Sequence, residues 1–93
     1  MNIRFYLDEV TGHPHLHRHG VSEREAEEIL TSPGEDRPGR DGARVAVGKT
    51  KAGRYLRVVY VPDPLPESVF VITAYELTGK PLVAHKQRMR RRE

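Results

Sequence analysis

The stretch Val45-Ala46-Val47-Gly48-Lys49-Thr50-Lys51-Ala52-Gly53-Arg54-Tyr55-Leu56-Arg57-Val58-Val59-Tyr60-Val61 decides the fold. Val45 and Val47 alternate in the period-two pattern of a strand, and Leu56 to Val61 is a nearly continuous apolar run broken only by Arg57. Between them Thr50-Lys51-Ala52-Gly53 has the composition of a hairpin loop. Beyond them Pro62-Asp63-Pro64-Leu65-Pro66 makes a stiffer connection to a third, β-branched and aromatic stretch, Val69 to Tyr75. Strands joined in this way pair antiparallel, so a three-strand meander is expected.

Upstream, Ile3, Phe5 and Leu7 alternate with Arg4 and Tyr6 and predict a short N-terminal strand. From Asp8 to His19 the chain is polar and rich in histidine; Gly12 and Pro14 leave only its second half comfortable as helix. A helix is better specified over residues 22–32. Ser22 can accept from the Glu25 amide while Glu25 returns the contact, and Val21 and Ala26 stand where a hydrophobic staple closes. Ala26, Ile29 and Leu30 continue the apolar stripe, Glu23, Glu25, Glu27 and Glu28 suit the positive end of the dipole, and Pro33-Gly34 stops the helix. Residues 33–43 offer nothing to bury between Pro33, Gly34, Pro38, Gly39 and Gly42, and read as a mobile loop. At the other end, Thr78-Gly79-Lys80-Pro81 resembles a helix entry, with Leu82, Val83, Lys86 and Met89 along one side, fraying into the final arginine run. The expected architecture is α+β: a small antiparallel sheet, the meander plus the N-terminal strand, with helices packed on one face and the other face free to bind.

Ninety-three residues with 37% hydrophobic side chains close one modest core, so residues 1–93 are expected to form one domain. Without cysteine there is no disulfide framework, thiolate metal site or thiol nucleophile. No apolar run approaches a membrane span, and a soluble cytoplasmic protein is the expectation. Charge is unevenly distributed. Lys86, Arg88, Arg90, Arg91 and Arg92 against Glu93 give the last eight residues a net +4, while the whole chain carries +3, so the body is at −1. Such an end favours a polyanion such as RNA or DNA, with His17 or Arg18 expected to line the same nucleic-acid-facing surface.

Taken together, His19-Gly20-Val21-Ser22 followed by Glu25-Ala26, then Gly48, Gly53-Arg54 with Leu56, Val58 and Val59, and Ile72-Thr73-Ala74 leading to a basic C-terminus resemble the BrnT-like toxins over most of the chain. The resemblance implies a compact relative of the RelE-type ribonuclease toxins, built of helices on a small antiparallel sheet. It also implies action on RNA and neutralisation by a small DNA-binding antitoxin. Two departures stand out. Asp8-Glu9-Val10-Thr11-Gly12 occupies the place where the family carries an aspartate followed by lysine and asparagines, and Tyr75 follows Ala74 where the family places an arginine. The chain thus looks like the broader, mostly uncharacterised branch of that group.

Metal-independent RNA cleavage needs a group to take the 2′-hydroxyl proton, a cation for the phosphorane and an acid for the leaving 5′-oxygen. Lys49, Arg54, Arg57 and Tyr75 are the candidate catalytic residues, with Tyr60 and Glu76 nearby in the pattern. Arg54 lies in the matched glycine-arginine pair; on this reading, replacing it or Arg57 abolishes cleavage and leaves stability unchanged. His13, His15, His17 and His19 share a side if extended, and His15 and His19 share a helical face. A third ligand from another element, His85, Asp8 or Glu9, is identified by no spacing, and neither metal nor cofactor is assigned. His19 is expected to buttress the turn into the helix. The expected function is the toxin half of a type II toxin-antitoxin pair, a metal-independent endoribonuclease; the alternative is a non-catalytic nucleic-acid-binding or protein-interaction domain on the same fold.

Overall fold

A computed structural model describes residues 1–92. The elements run β1 (Asn2–Phe5), a 3-10 helix (His15–His19), α1 (Glu23–Thr31), β2 (Glu35–Pro38), β3 (Arg44–Lys49), β4 (Tyr55–Pro62), β5 (Ser68–Glu76) and α2 (Gly79–Arg91). The architecture is α+β, with a five-strand mixed sheet in the order β1-β5-β4-β3-β2. Strands β2 to β5 pair antiparallel in succession, whereas β1 joins the edge of β5 in parallel. The sheet is therefore wider than a meander plus one strand, and it is not purely antiparallel.

Residues 33–43 are not a loop throughout. Glu35–Pro38 pairs with Val47 to Arg44 as the edge strand β2. Its side chains have no apolar alternation; backbone pairing and ion pairs hold it, as when Arg44 Nε donates to Asp36 at 3.0 Å. Polar side chains and a proline suit an edge strand, because only one side of its backbone needs a partner.

The capping box at α1 forms in full. Ser22 Oγ accepts from the Glu25 amide at 3.1 Å, and Glu25 Oε1 accepts from the Ser22 amide at 3.0 Å. Val21 and Ala26 are both buried. With Leu16, Ile29 and Leu30 they cover one face of the sheet, against Ala46, Leu56, Val58, Tyr60, Val71 and Ala74. A Cβ on Gly48 would sit 3.2 Å from the Gly34 amide nitrogen and 3.5 Å from Ile29 Cδ1, so a glycine there lets the end of α1 close onto β3.

The second core lies on the opposite face, where Val45, Val47 and Leu77 pack with Tyr55, Val59 and Leu82 of α2. The helices thus sandwich part of the sheet instead of sharing one face. Strand alternation explains this: β3 buries Ala46 on one side and Val45 and Val47 on the other, so both faces need cover. Helix α2 also continues through the arginine run to Arg91. Cations suit a helix C-terminus, and Arg92 Nη1 donates to the Gly34 carbonyl at 2.6 Å. No described helix is long and apolar enough to cross a membrane.

Candidate functional site

The sheet register builds a row of side chains beneath α2. Glu35 of β2 lies opposite Val47 of β3, Val47 opposite Arg57 of β4, and Arg57 opposite Tyr75 of β5. The next row on the same face is Arg37, Val45, Val59 and Thr73. Across them α2 brings His85 and Arg88, one helical turn apart. Arg88 grips Glu35 with two bonds, Nε at 2.7 Å and Nη2 at 3.0 Å, and His85 Nδ1 stands 2.6 Å from Glu35 Oε1. The Arg88 hydrogen bonds hold the Glu35 carboxyl down to about 2, outweighing its partial burial, with His85 adding to the effect. Glu35 accordingly stays ionised and pins β2 to α2.

A cavity of about 170 Å³ opens beside this clamp, lined by Arg37, Arg57, His85 and Arg88 with Val47 and Leu77 among its apolar walls. That is smaller than the hollows of roughly 300–1,000 Å³ that hold drug-sized ligands, and suits a compact group such as a phosphate. Three guanidinium groups surround it, and Glu35 is the carboxylate bound to one of them. Arg57 Nε is buried with no hydrogen-bond partner among the described residues, as is Thr73 Oγ1 in the adjoining row. A buried donor without a partner costs about 1–3 kcal/mol, more when charged, so Arg57 carries an unmet hydrogen bond beside the cavity. Guanidinium groups match phosphate oxygens in geometry as well as charge.

Of the catalytic candidates, the fold brings Arg57 and Tyr75 side by side as cross-strand neighbours. Arg54 is placed differently. Its Nη1 donates to the Gly20 carbonyl at 2.8 Å and to both Glu25 oxygens at 3.1 Å, and Nη2 stands 3.5 Å from Glu76. It ties the corner before α1 to the start of β4 and the end of β5. Lys49 sits at the end of β3 opposite Tyr55, its ammonium 5.7 Å from the Tyr55 ring centre. It also lines a hollow of about 390 Å³ against α1, where Arg24, Lys49 and Lys51 face Glu27 and Glu28. That hollow is larger, but its charges nearly balance. Tyr60 points to the α1 side, where its hydroxyl donates to Asp36. Burial and the Asp36 carboxylate both push its phenol above the ordinary value.

The residues of the expected RNA surface divide. Lys86 and Arg90 are exposed on α2 beside Tyr55, Arg91 is exposed farther along, Arg88 holds Glu35, and Arg92 holds the Gly34 carbonyl. His17 pairs with Glu23 and Arg18 with Asp8, near the 3-10 helix, so each meets a carboxylate of its own. Asp8 is held below the usual carboxylate range first by the Val10 amide, with Arg18 assisting. The histidines meet in pairs, His13 stacked on His17 and His15 edge-on to His19, and His19 packs edge-on against Tyr75 at 5.9 Å. Among the described residues no three histidine, aspartate or glutamate side chains converge on a point that could hold a metal ion.

Arg37, Glu35 and the role of His85 escape sequence reasoning. The first two fall in the stretch read as a loop, and His85 invites a metal reading until Glu35 is seen beside it. The polar alternation Glu35, Asp36, Arg37 was the available signal, since it places Glu35 and Arg37 on one side of an edge strand. No protein-family model matches this chain, and no match was found among curated proteins or solved structures.

Proposed function

We propose that this protein binds RNA through the arginine pocket beneath α2 and cleaves it without metal, as the toxin half of a pair with a small DNA-binding antitoxin. The observation that carries the reading is a cavity of phosphate size lined by Arg37, Arg57 and Arg88, beside which the Arg57 Nε is buried without a partner among the described residues. In this scheme the scissile phosphate sits against Arg57, which stabilises the charge on the phosphorane. The 2′-oxygen attacks phosphorus as its proton leaves, the bond to the 5′-oxygen breaks, and that oxygen gains a proton. The products are a 2′,3′-cyclic phosphate and a 5′-hydroxyl. In this scheme Tyr75, the cross-strand neighbour of Arg57 on β5, carries one of these protons. The likeness to the BrnT-like and RelE-type toxins supports the same assignment and supplies the antitoxin; a neighbouring reading frame encoding a small DNA-binding protein is the expected genetic context.

Binding without cleavage is the second reading, favoured by one observation. Arg54, the cation matched to the family pattern, has its guanidinium engaged by Gly20, Glu25 and Glu76. Incubation of the protein with end-labelled single-stranded RNA in the presence of chelator separates the two. The proposal expects fragments with 5′-hydroxyl ends that vanish with Arg57→Ala; retention of intact RNA by a folded protein selects the binding reading, and unchanged cleavage by Arg57→Ala removes the proposed site.

A further inference from the structure

Tyr55 opens β4 on the α2 side of the sheet, half-buried, next to the arginine pocket. Its ring meets that of His85, a pocket-lining residue, edge-on at 5.9 Å. The Lys86 and Lys49 ammonium groups stand 5.0 and 5.7 Å from its centre. Beside it a second hollow, about 320 Å³, is lined by Tyr55, Lys86, Met89 and Arg90. An aromatic ring bordering an open hollow, with cations beside it, is the combination by which single-stranded nucleic acid is held: the base stacks while the cations follow the phosphates.

We propose that Tyr55 is a nucleobase seat, taking by stacking the base of the nucleotide adjoining the phosphate held in the arginine pocket. The proposal rests on the RNA reading above and deepens it. His85 connects the two places, since it lines the cavity and abuts the ring. Lys86 and Arg90 lie on one face of α2, four residues apart, so the strand runs along the helix with its phosphates toward them. Met89 gives the hollow a polarizable wall that adapts to any base, and no side chain lining the hollow is an amide or carboxylate aimed at a base edge. The seat therefore distinguishes a base from no base, and discriminates weakly among the four bases.

The test compares binding of the whole protein to a short single-stranded RNA and to an abasic ribose-phosphate oligomer of equal length, both made with 2′-O-methyl groups to block cleavage. Wild type is expected to bind the RNA roughly 5- to 150-fold more tightly than the abasic strand, the range for one stacked base. Tyr55→Phe keeps that preference; Tyr55→Ala loses it while holding the abasic strand as wild type does. Equal binding of both oligomers by wild type overturns the base seat and leaves the arginine pocket standing. So does a preference that survives in Tyr55→Ala. Failure of wild type to bind either oligomer removes the RNA reading, and the seat with it. Because the comparison within wild type and within Tyr55→Phe needs no truncated ring, the proposal stays falsifiable even if Tyr55→Ala is unstable.

Discussion

Arg54, at the turn into β4, and Arg57, three residues later within it, are the same side chain put to opposite uses. At the Arg54 corner the guanidinium meets a carboxylate: Glu25 caps α1, accepts from Arg54 and is held below the usual carboxylate range, first by the Ser22 amide and then by Arg54. Under α2 three arginines line a cavity, and beside it the Arg57 Nε is buried without a partner among the described residues. The difference is one of satisfaction, not of residue type. Arg54 Nη1, bonded to a carbonyl and a carboxylate, holds elements together, whereas the buried Arg57 Nε has no partner among the described residues.

The largest expected effect breaks the comparison on the pocket side. Removing the cation opposite a developing phosphorane costs about 2.7–4 kcal/mol of transition-state stabilisation, so Arg57→Ala should lower RNA cleavage by roughly 100- to 1,000-fold in a single-turnover assay. Its thermal midpoint should stay level or rise, since a buried unpaired donor disappears. At the corner the outcome reverses. Arg54→Ala removes the charge-assisted bonds to Glu25 and the bond to Gly20, and should cost about 2 kcal/mol, lowering the midpoint by roughly 8–16 °C in a scanning calorimeter. An Arg54 variant as stable as wild type but inactive would restore the catalytic role inferred from the family resemblance.

A smaller effect concerns the clamp that shapes the pocket. Glu35 titrates near 2 when folded, against an ordinary 4.5, so its contribution is complete above the ordinary value and lost as pH falls through about 2. With allowance for solvent around the half-exposed Arg88, that contribution is about 2 kcal/mol. Urea midpoints measured at pH 7 and pH 2 should therefore fall less for Glu35→Gln than for wild type; equal falls would mean that Arg88 and His85 do not hold it. Smallest is the capping box: Ser22→Ala should cost about 1 kcal/mol in urea denaturation without altering RNA binding, since it loosens only the fold-holding region.

The two regions also differed in how far they could be read from sequence. The corner is local: Ser22 and Glu25 lie three apart, Gly20 takes the left-handed conformation, and a capping box with a staple announces the helix. The pocket is assembled by register and by packing across the sheet. Glu35 and His85 are fifty residues apart, and Arg37 sits on a strand whose polar sequence carries no burial signal. Nor does strand alternation alone decide which helix covers which face. Val45 and Val47 required cover, but that α2 supplies it depends on where the chain leaves β5 at Leu77, which packs into the second core. Tyr75 shows the same limit, since only the register sets it opposite Arg57.

The most direct test of the account is an NMR titration following the arginine Nε–Hε signals while a ribonucleoside monophosphate is added. The account predicts that the Arg57 signal shifts while the Arg54 signal stays in place. A titration that moves Arg54 and leaves Arg57 untouched would contradict it.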